Sequence, residues 1–223
     1  SFNKTNNNEF ISGIAGGWGD INGSQLMCLS NQAFGSLSLS AINSALAIEY
    51  AYSNGADVIN MSWTIDGQTQ YYEYLTEVIE VGYNDHNVVF INSSGNDCGG
   101  TNQDPHITFP GELEEVIAVG SVDQNDLFWH DDTSHWGSCY GPELDVVAPH
   151  AVYAVHPSGD GCATSFGGTS AAAPHVSGLA ALLLSVNLNL TNIEVRDIII
   201  NSTEKVAEMN GENFTEEYGY GRI

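Results

Sequence analysis

From Gly167 onward the chain reads "GGTSAAAPHVSGLAALLLSVN", a helical stretch that is apolar nearly all round. Such a helix has no face to offer water, so it must lie at the centre of the fold with other elements packed around it. The remaining sequence supplies those elements. Apolar runs of strand length, "DVINMSW", "NVVFINSS", "EVIAVGSV" and "LDVVAP", alternate with stretches of helical period. Strands that are apolar without interruption are buried on both faces, the pattern of a parallel sheet covered by helices. Upstream, "QLMCL" reads as a short strand. Ser40 to Tyr52 reads as a helix whose mainly apolar face is Ile42, Ala45, Leu46 and Glu49, ended by Asn54-Gly55. A second helix across "YYEYLTEVIEVGYND" completes two successive βαβ units.

At 223 residues and 42% hydrophobic content the chain can bury one ordinary core. The longest apolar run, "GLAALLL", is well short of the roughly 20 residues that cross a membrane, so no membrane partner is expected. The opening has neither an initiator Met nor a signal peptide, and the chain stops at "GYGRI", so both ends read as cut. A net charge of −24, with 28 acidic residues against 4 Lys plus Arg, leaves no basic surface for nucleic acid. It suits either a solvated acidic surface or a field that steers basic substrates. Cys28, Cys98, Cys139 and Cys162 form no C-x-x-C pair and have no closely spaced His, which argues against a structural zinc. Disulfides and reduced buried thiols both remain open.

Two places carry chemistry. Ser170 opens the central helix, where unpaired backbone N–H groups and the positive end of the helix dipole stabilise an oxyanion formed when its Oγ attacks a carbonyl. Gly167 and Gly168 before it let a substrate come close. By itself the same string also describes an ordinary helix cap. Asn96 in "INSSGNDCG" follows a strand, at the end of the sheet where α/β proteins place ligand-binding groups.

The eleven residues from Gly168 to Gly178 resemble the serine signature of the subtilase family, G-T-S-[MA]-[AS]-x-P-H-[VI]-[AS]-G, at every position. "SSGND" resembles its A-A-G-N, and "AIEYAYSNGADVINMSW", "FPGELEEVIAVGSVD" and "GPELDVVAP" are similar to its later elements, so the likeness covers essentially the whole chain. The resemblance implies a subtilisin-like α/β three-layer sandwich, with a mainly parallel central sheet and a buried central helix starting at the nucleophile. Residues 1–223 would be a single catalytic domain lacking its N-terminal part and extreme C-terminus. Ser170 is then the nucleophile, Asn96 the oxyanion donor, and His175 a packing residue of the helix. Ser62, Trp63 and Thr64 form one edge strand that pairs with a peptide, and Gly35, Ser36 and Leu37 the other. Ser93, Ser94 and Gly95 wall the pocket for the residue before the scissile bond, with Asp97 on its rim. Some secreted relatives join the loop after this Asn to the turn matching "GSCYG", which implies a Cys98–Cys139 bridge.

The family's other catalytic motifs, D-[ST]-G and H-G-T, occur nowhere in the chain. "SFNKTNNNEFISGIAGG" resembles the segment that follows the H-G-T helix, so those motifs are expected upstream. Without a base Ser170 stays protonated, and the chain alone should be nearly inert. His86, His106, His130, His135, His150 and His156 all read as surface histidines. The resemblance implies a secreted, monomeric serine endopeptidase that acts on polypeptides and needs no cofactor for its chemistry. Structural calcium is common in the family, and Glu143 with Asp145 could line a weak cation site. The competing reading is a non-catalytic peptide-binding relative. A nucleotide-binding domain is disfavoured because no G-x-G-x-x-G or Walker motif is present.

Overall fold

The computed structural model describes residues 13–18, 21–31, 40–65, 69–102, 105–155 and 162–223. Gly35, Ser36, Leu37 and His156 lie outside the described residues. A small antiparallel ladder, β1 (Gly17–Trp18) with β2 (Ile21–Asn22), precedes helix α1 (Ala41–Ser53). Then come β3 (Val58–Met61), α2 (Thr69–His86), β4 (Val89–Ser93), β5 (Val116–Val122) and β6 (Val146–Pro149). An antiparallel pair follows, β7 (Val152–Val155) with β8 (Cys162–Phe166), and the chain ends in α3 (Thr169–Val186), α4 (Asn192–Asn201) and a short 3-10 turn at Ala207–Met209.

Strands β3 to β6 form one parallel sheet in chain order. Side chains alternate across a strand, and the apolar runs divide accordingly. Val89 and Ile91 of β4, Ile117 and Val119 of β5, and Val146 and Ala148 of β6 pack against Ala172, Ala173, Val176 and Ala180 of α3 and Val195 and Ile199 of α4. On the opposite face Phe90 and Val116 meet Ala45, Ile48 and Tyr52 of α1 and Leu75, Val78 and Ile79 of α2. The result is a sandwich of three layers with α3 centred on the sheet.

The structure departs from the sequence reading in several places. "QLMCL" is extended but pairs with no strand among the described residues, and Leu26, Met27, Cys28 and Leu29 are exposed. The buried face of α1 is Ala41, Ser44, Ala45, Ile48, Ala51 and Tyr52, while Ile42 and Leu46 are 46% and 50% exposed. Helix α3 is buried through its first half, but Leu182 and Val186 near its end are exposed. By length and composition it could cross a membrane, yet it packs on the sheet as a core helix.

Helix α4 was not read from the sequence, although "TNIE" announces it. Thr191 Oγ1 accepts from Glu194 N at 3.2 Å and Glu194 Oε2 accepts from Thr191 N at 2.8 Å, a reciprocal capping box. Cys98 and Cys139 are joined, with Cα atoms 4.8 Å apart, as the resemblance implied. Two readings need correction. Asp145 lines no cation site: it is buried and held by Arg196 at 2.9 Å and by Ala118 N, which donates to Oδ2 at 2.9 Å. Among the described residues no cluster of three or more metal-ligating side chains occurs. His150 is not a surface histidine. Its ring stacks on Trp129 at 4.8 Å, its Nδ1 is buried and meets no partner among the described residues, and burial pushes its pKa down.

Candidate active site

The turn into α3 is made by Gly168, whose φ of 79° lies in the left-handed region that glycine tolerates. A Cβ there would sit 2.8 Å from Asn96 Oδ1, so glycine is also required by the closeness of the two segments. Two groups grip that oxygen: Thr169 N donates at 2.9 Å and Thr169 Oγ1 lies 3.0 Å away. Thr169 Oγ1 also reaches the Gly95 carbonyl at 3.2 Å. The Nδ2 of the same carboxamide meets no acceptor among the described residues, so its hydrogens are left to donate elsewhere. Ser170 N, at the first turn of α3, has no intrahelical partner either. An amide N–H pair at a helix N-terminus is the arrangement that receives a developing oxyanion.

Ser170 is held from the other side by the end of β3. Pro174 lies four residues further along α3 and has no N–H, so the Ser170 carbonyl loses its usual helical donor. Ser62 Oγ takes that place, donating to Ser170 O at 3.0 Å. In return Ser170 Oγ lies 3.4 Å from the Ser62 carbonyl. The ends of β3 and β4 therefore converge on the first turn of α3, at the C-terminal edge of the parallel sheet.

Ser62, Trp63 and Thr64 are partly exposed beside Ser170, whereas Ser93, Ser94 and Gly95 are buried and offer mainly backbone. Asp97 is exposed, one residue beyond Asn96. Thr108, from the loop before the cis Phe109–Pro110 peptide, is tied to the second wall. Its N and Oγ1 both donate to Ser94 O at 2.9 Å, and Ile65 N donates to Phe109 O at 3.2 Å. His175 is partly buried with Nδ1 2.9 Å from Ala171 O, and desolvation holds its pKa below the ordinary value. Among the described residues no histidine lies within hydrogen-bonding reach of Ser170 Oγ.

Sequence reasoning missed Thr169, which the signature contains but which reads alone as a cap. It also missed Asn92, whose only signal was one carboxamide directly after the apolar run Val89–Ile91 of β4. The hairpin of residues 129–138 was missed as well. Its backbone ties to the loop after Asn96 through Gly137 N to Asn96 O at 2.9 Å, Gly99 N to His135 O at 2.8 Å and Gly100 N to Asp131 O at 3.0 Å.

Fold and site together define an α/β protein in which a serine opens the central helix beside a clamped carboxamide. Comparison with known proteins places it more closely: the description of the subtilase family matches residues 3–221, and the chain belongs to that family. It is 37% identical over 190 residues to subtilisin DY of Bacillus licheniformis, covering 85% of this chain and 62% of that protein. It is also 37% identical over 221 residues to a thermophilic serine proteinase of Bacillus sp. (strain AK1), covering 99% of this chain and 47% of the relative. The chain thus spans less than two thirds of the length of these relatives. Among solved structures, the prenylagaramide maturation protease PagA superposes with a TM-score of 0.70 at 26% identity, covering 96% of this chain and 73% of that one. MycP1 with its propeptide removed shares the fold at a TM-score of 0.62 and 23% identity.

Proposed function

We propose that this chain is the nucleophile-bearing part of a subtilisin-like serine endopeptidase. Ser170 Oγ attacks the scissile carbonyl, and Asn96 Nδ2 with the Ser170 N–H receives the oxyanion. The single observation that carries this reading is the double grip of Thr169 on Asn96 Oδ1, which presents the amide hydrogens beside the serine. The base that takes the Ser170 proton and returns it to the leaving amine would come from the family's H-G-T motif, oriented by the carboxylate of D-[ST]-G. The edge of the sheet leaves room for such a contribution, since β3 has one strand neighbour among the described residues. The chemistry uses amino-acid side chains alone, with no cofactor.

On this reading polypeptides bind along Ser62 to Thr64, and on the other side along Gly35 to Leu37, with the residue before the scissile bond against Ser93 to Gly95. Residues 1–223 belong to one catalytic domain, and the whole-length enzyme acts as a monomer. A disulfide and a net charge of −24 suit a secreted protein.

The test is peptide hydrolysis by the whole-length protein, by its Ser170→Ala and Asn96→Ala variants, and by the 223-residue chain alone. The expected outcome is cleavage by the first, abolished in Ser170→Ala and lowered about 100- to 1000-fold in Asn96→Ala, the magnitude the loss of such a donor has in a subtilisin. The isolated chain should be nearly inert. A folded whole-length protein that binds peptides without cleaving them would overturn the enzymatic reading in favour of a non-catalytic binder.

A further inference from the structure

Asn92 sits in β4 between Ile91 and Ser93, fully buried and carrying the only carboxamide of a strand whose first three side chains are apolar. Its Nδ2 donates twice across to the end of β3, to the Met61 carbonyl and to the Trp63 carbonyl, the latter at 2.9 Å. The orientation of this amide is determined by those partners, because the reverse would set its oxygen against two carbonyl oxygens. Its Oδ1 meets no partner among the described residues, so the two donated bonds are what hold the side chain.

The two carbonyls that Asn92 holds flank Ser62. Alternate carbonyls of an extended segment point to opposite sides, so drawing those of residues 61 and 63 toward β4 turns that of Ser62 away from it. There it lies 3.4 Å from Ser170 Oγ, while Ser62 Oγ fills the acceptor left open by Pro174. The β3–β4 ladder ends at Met61 and Asn92, which is the point where β3 must leave its neighbour to open a pocket between the walls. A side chain at that position can hold the departing segment extended after backbone pairing has stopped.

We propose that Asn92 is a positioning residue for substrate: its carboxamide holds residues 61–63 extended and in register with the first turn of α3, so that this edge can pair with a peptide. The inference rests on the proposed peptide-binding role of that edge. It assigns to Asn92 no contact with substrate, and it acts through Ser62 and Trp63.

The experiment uses the whole-length protein and the variants Asn92→Asp, which keeps the shape but removes both donors, and Asn92→Ala. Two readouts are compared at a temperature well below each variant's Tm. One is the Kd of an extended peptide for the protein carrying Ser170→Ala, with KM and kcat on the same sequence as a substrate. The other is the rate at which phenylmethanesulfonyl fluoride inactivates Ser170, which needs no edge strand.

The expected result is a rise of about 10- to 100-fold in peptide Kd and KM, the scale of losing one or two backbone hydrogen bonds to the peptide, with kcat and the sulfonyl fluoride rate within about 3-fold. Asn92→Asp should be the more severe, since its carboxylate faces two carbonyl oxygens. Unchanged peptide affinity in whichever variant folds would overturn the proposal, as would a parallel fall in both readouts. Should the parent protein prove catalytically silent, the endopeptidase reading fails, while the peptide Kd in the Ser170→Ala background still decides the role of Asn92.

Discussion

Replacing both Cys98 and Cys139 by alanine separates what holds the loop after Asn96 from what holds Asn96 itself. The two cysteines are 41 residues apart in sequence. On the chain-entropy model, opening a loop of that length releases about 4 kcal/mol of constraint on the unfolded chain. For a domain of this size each kcal/mol moves Tm by about 2–4 °C, so the double variant should melt about 8–16 °C lower. The bridge also packs beneath the loop, since a Cβ on Gly95 would lie 3.0 Å from Cys139 Sγ. Asn96 nevertheless keeps Thr169 N and Oγ1 on its oxygen, and backbone bonds from Gly137 N to Asn96 O and Cys139 N to Gly95 O remain at 2.9 and 3.0 Å. Peptide hydrolysis by the whole-length variant at 20 °C below its own Tm should therefore stay within about 3-fold of the parent. Calorimetry without reductant and initial-rate assays measure the two quantities. A Tm change under about 3 °C would refute the loop-entropy argument, and a collapse of activity in the still-folded variant would refute the independence of Asn96 from the bridge.

Gly168→Ala should lower activity by at least about 100-fold while leaving a folded protein, because the new Cβ meets Asn96 Oδ1 at 2.8 Å in a left-handed backbone; kinetics alongside circular dichroism checks this. Arg196→Met should destabilise the protein by about 3–5 kcal/mol in urea titration, since it strands the buried Asp145 carboxylate; a loss below about 1 kcal/mol would contradict the pairing. Acid should lower stability over two pH windows, the second only slightly because its carboxyls are exposed. Burial keeps the pKa of His150 and His175 below that of the unfolded chain, so stability starts to fall as pH drops below about 6.5 and the unfolded state takes up protons first. The carboxyls of Asp123, Asp131 and Glu194 are held low by hydrogen bonds, Asp131 at about 2, so their contribution, present above the ordinary carboxylate range, is lost as pH falls toward that value. Urea midpoints followed by Trp fluorescence from pH 8 to 2 would show a single step if either group were wrongly placed. Asp97→Asn should reduce the preference for Lys over Phe before the scissile bond a few-fold at low salt and hardly at all at high salt; an unchanged ratio removes Asp97 from the pocket rim.

The strands were legible in the sequence because burial on both faces demands uninterrupted apolar runs, and "NVVFINSS" and "EVIAVGSV" have no other comfortable place. The motif around Ser170 was legible for a different reason: an ordered string of eleven residues satisfies turn, cap and helix at once. Periodicity placed Ala45 of α1 correctly but misjudged Ile42 and Leu46, because the buried face runs instead through Ala41, Ala45, Ile48 and Tyr52. Pairings between distant segments depend on which groups the fold brings within about 3 Å, and no local pattern encodes that. So the grip of Thr169 on Asn96, the turn of Ser62 Oγ to the carbonyl that Pro174 leaves open, the hold of Asn92 on β3, and the commitment of Asp145 to Arg196 were decided only by the tertiary structure. The sequence alone determined the layers, the helix that begins at Ser170 and the family, since all three depend on local burial and order along the chain.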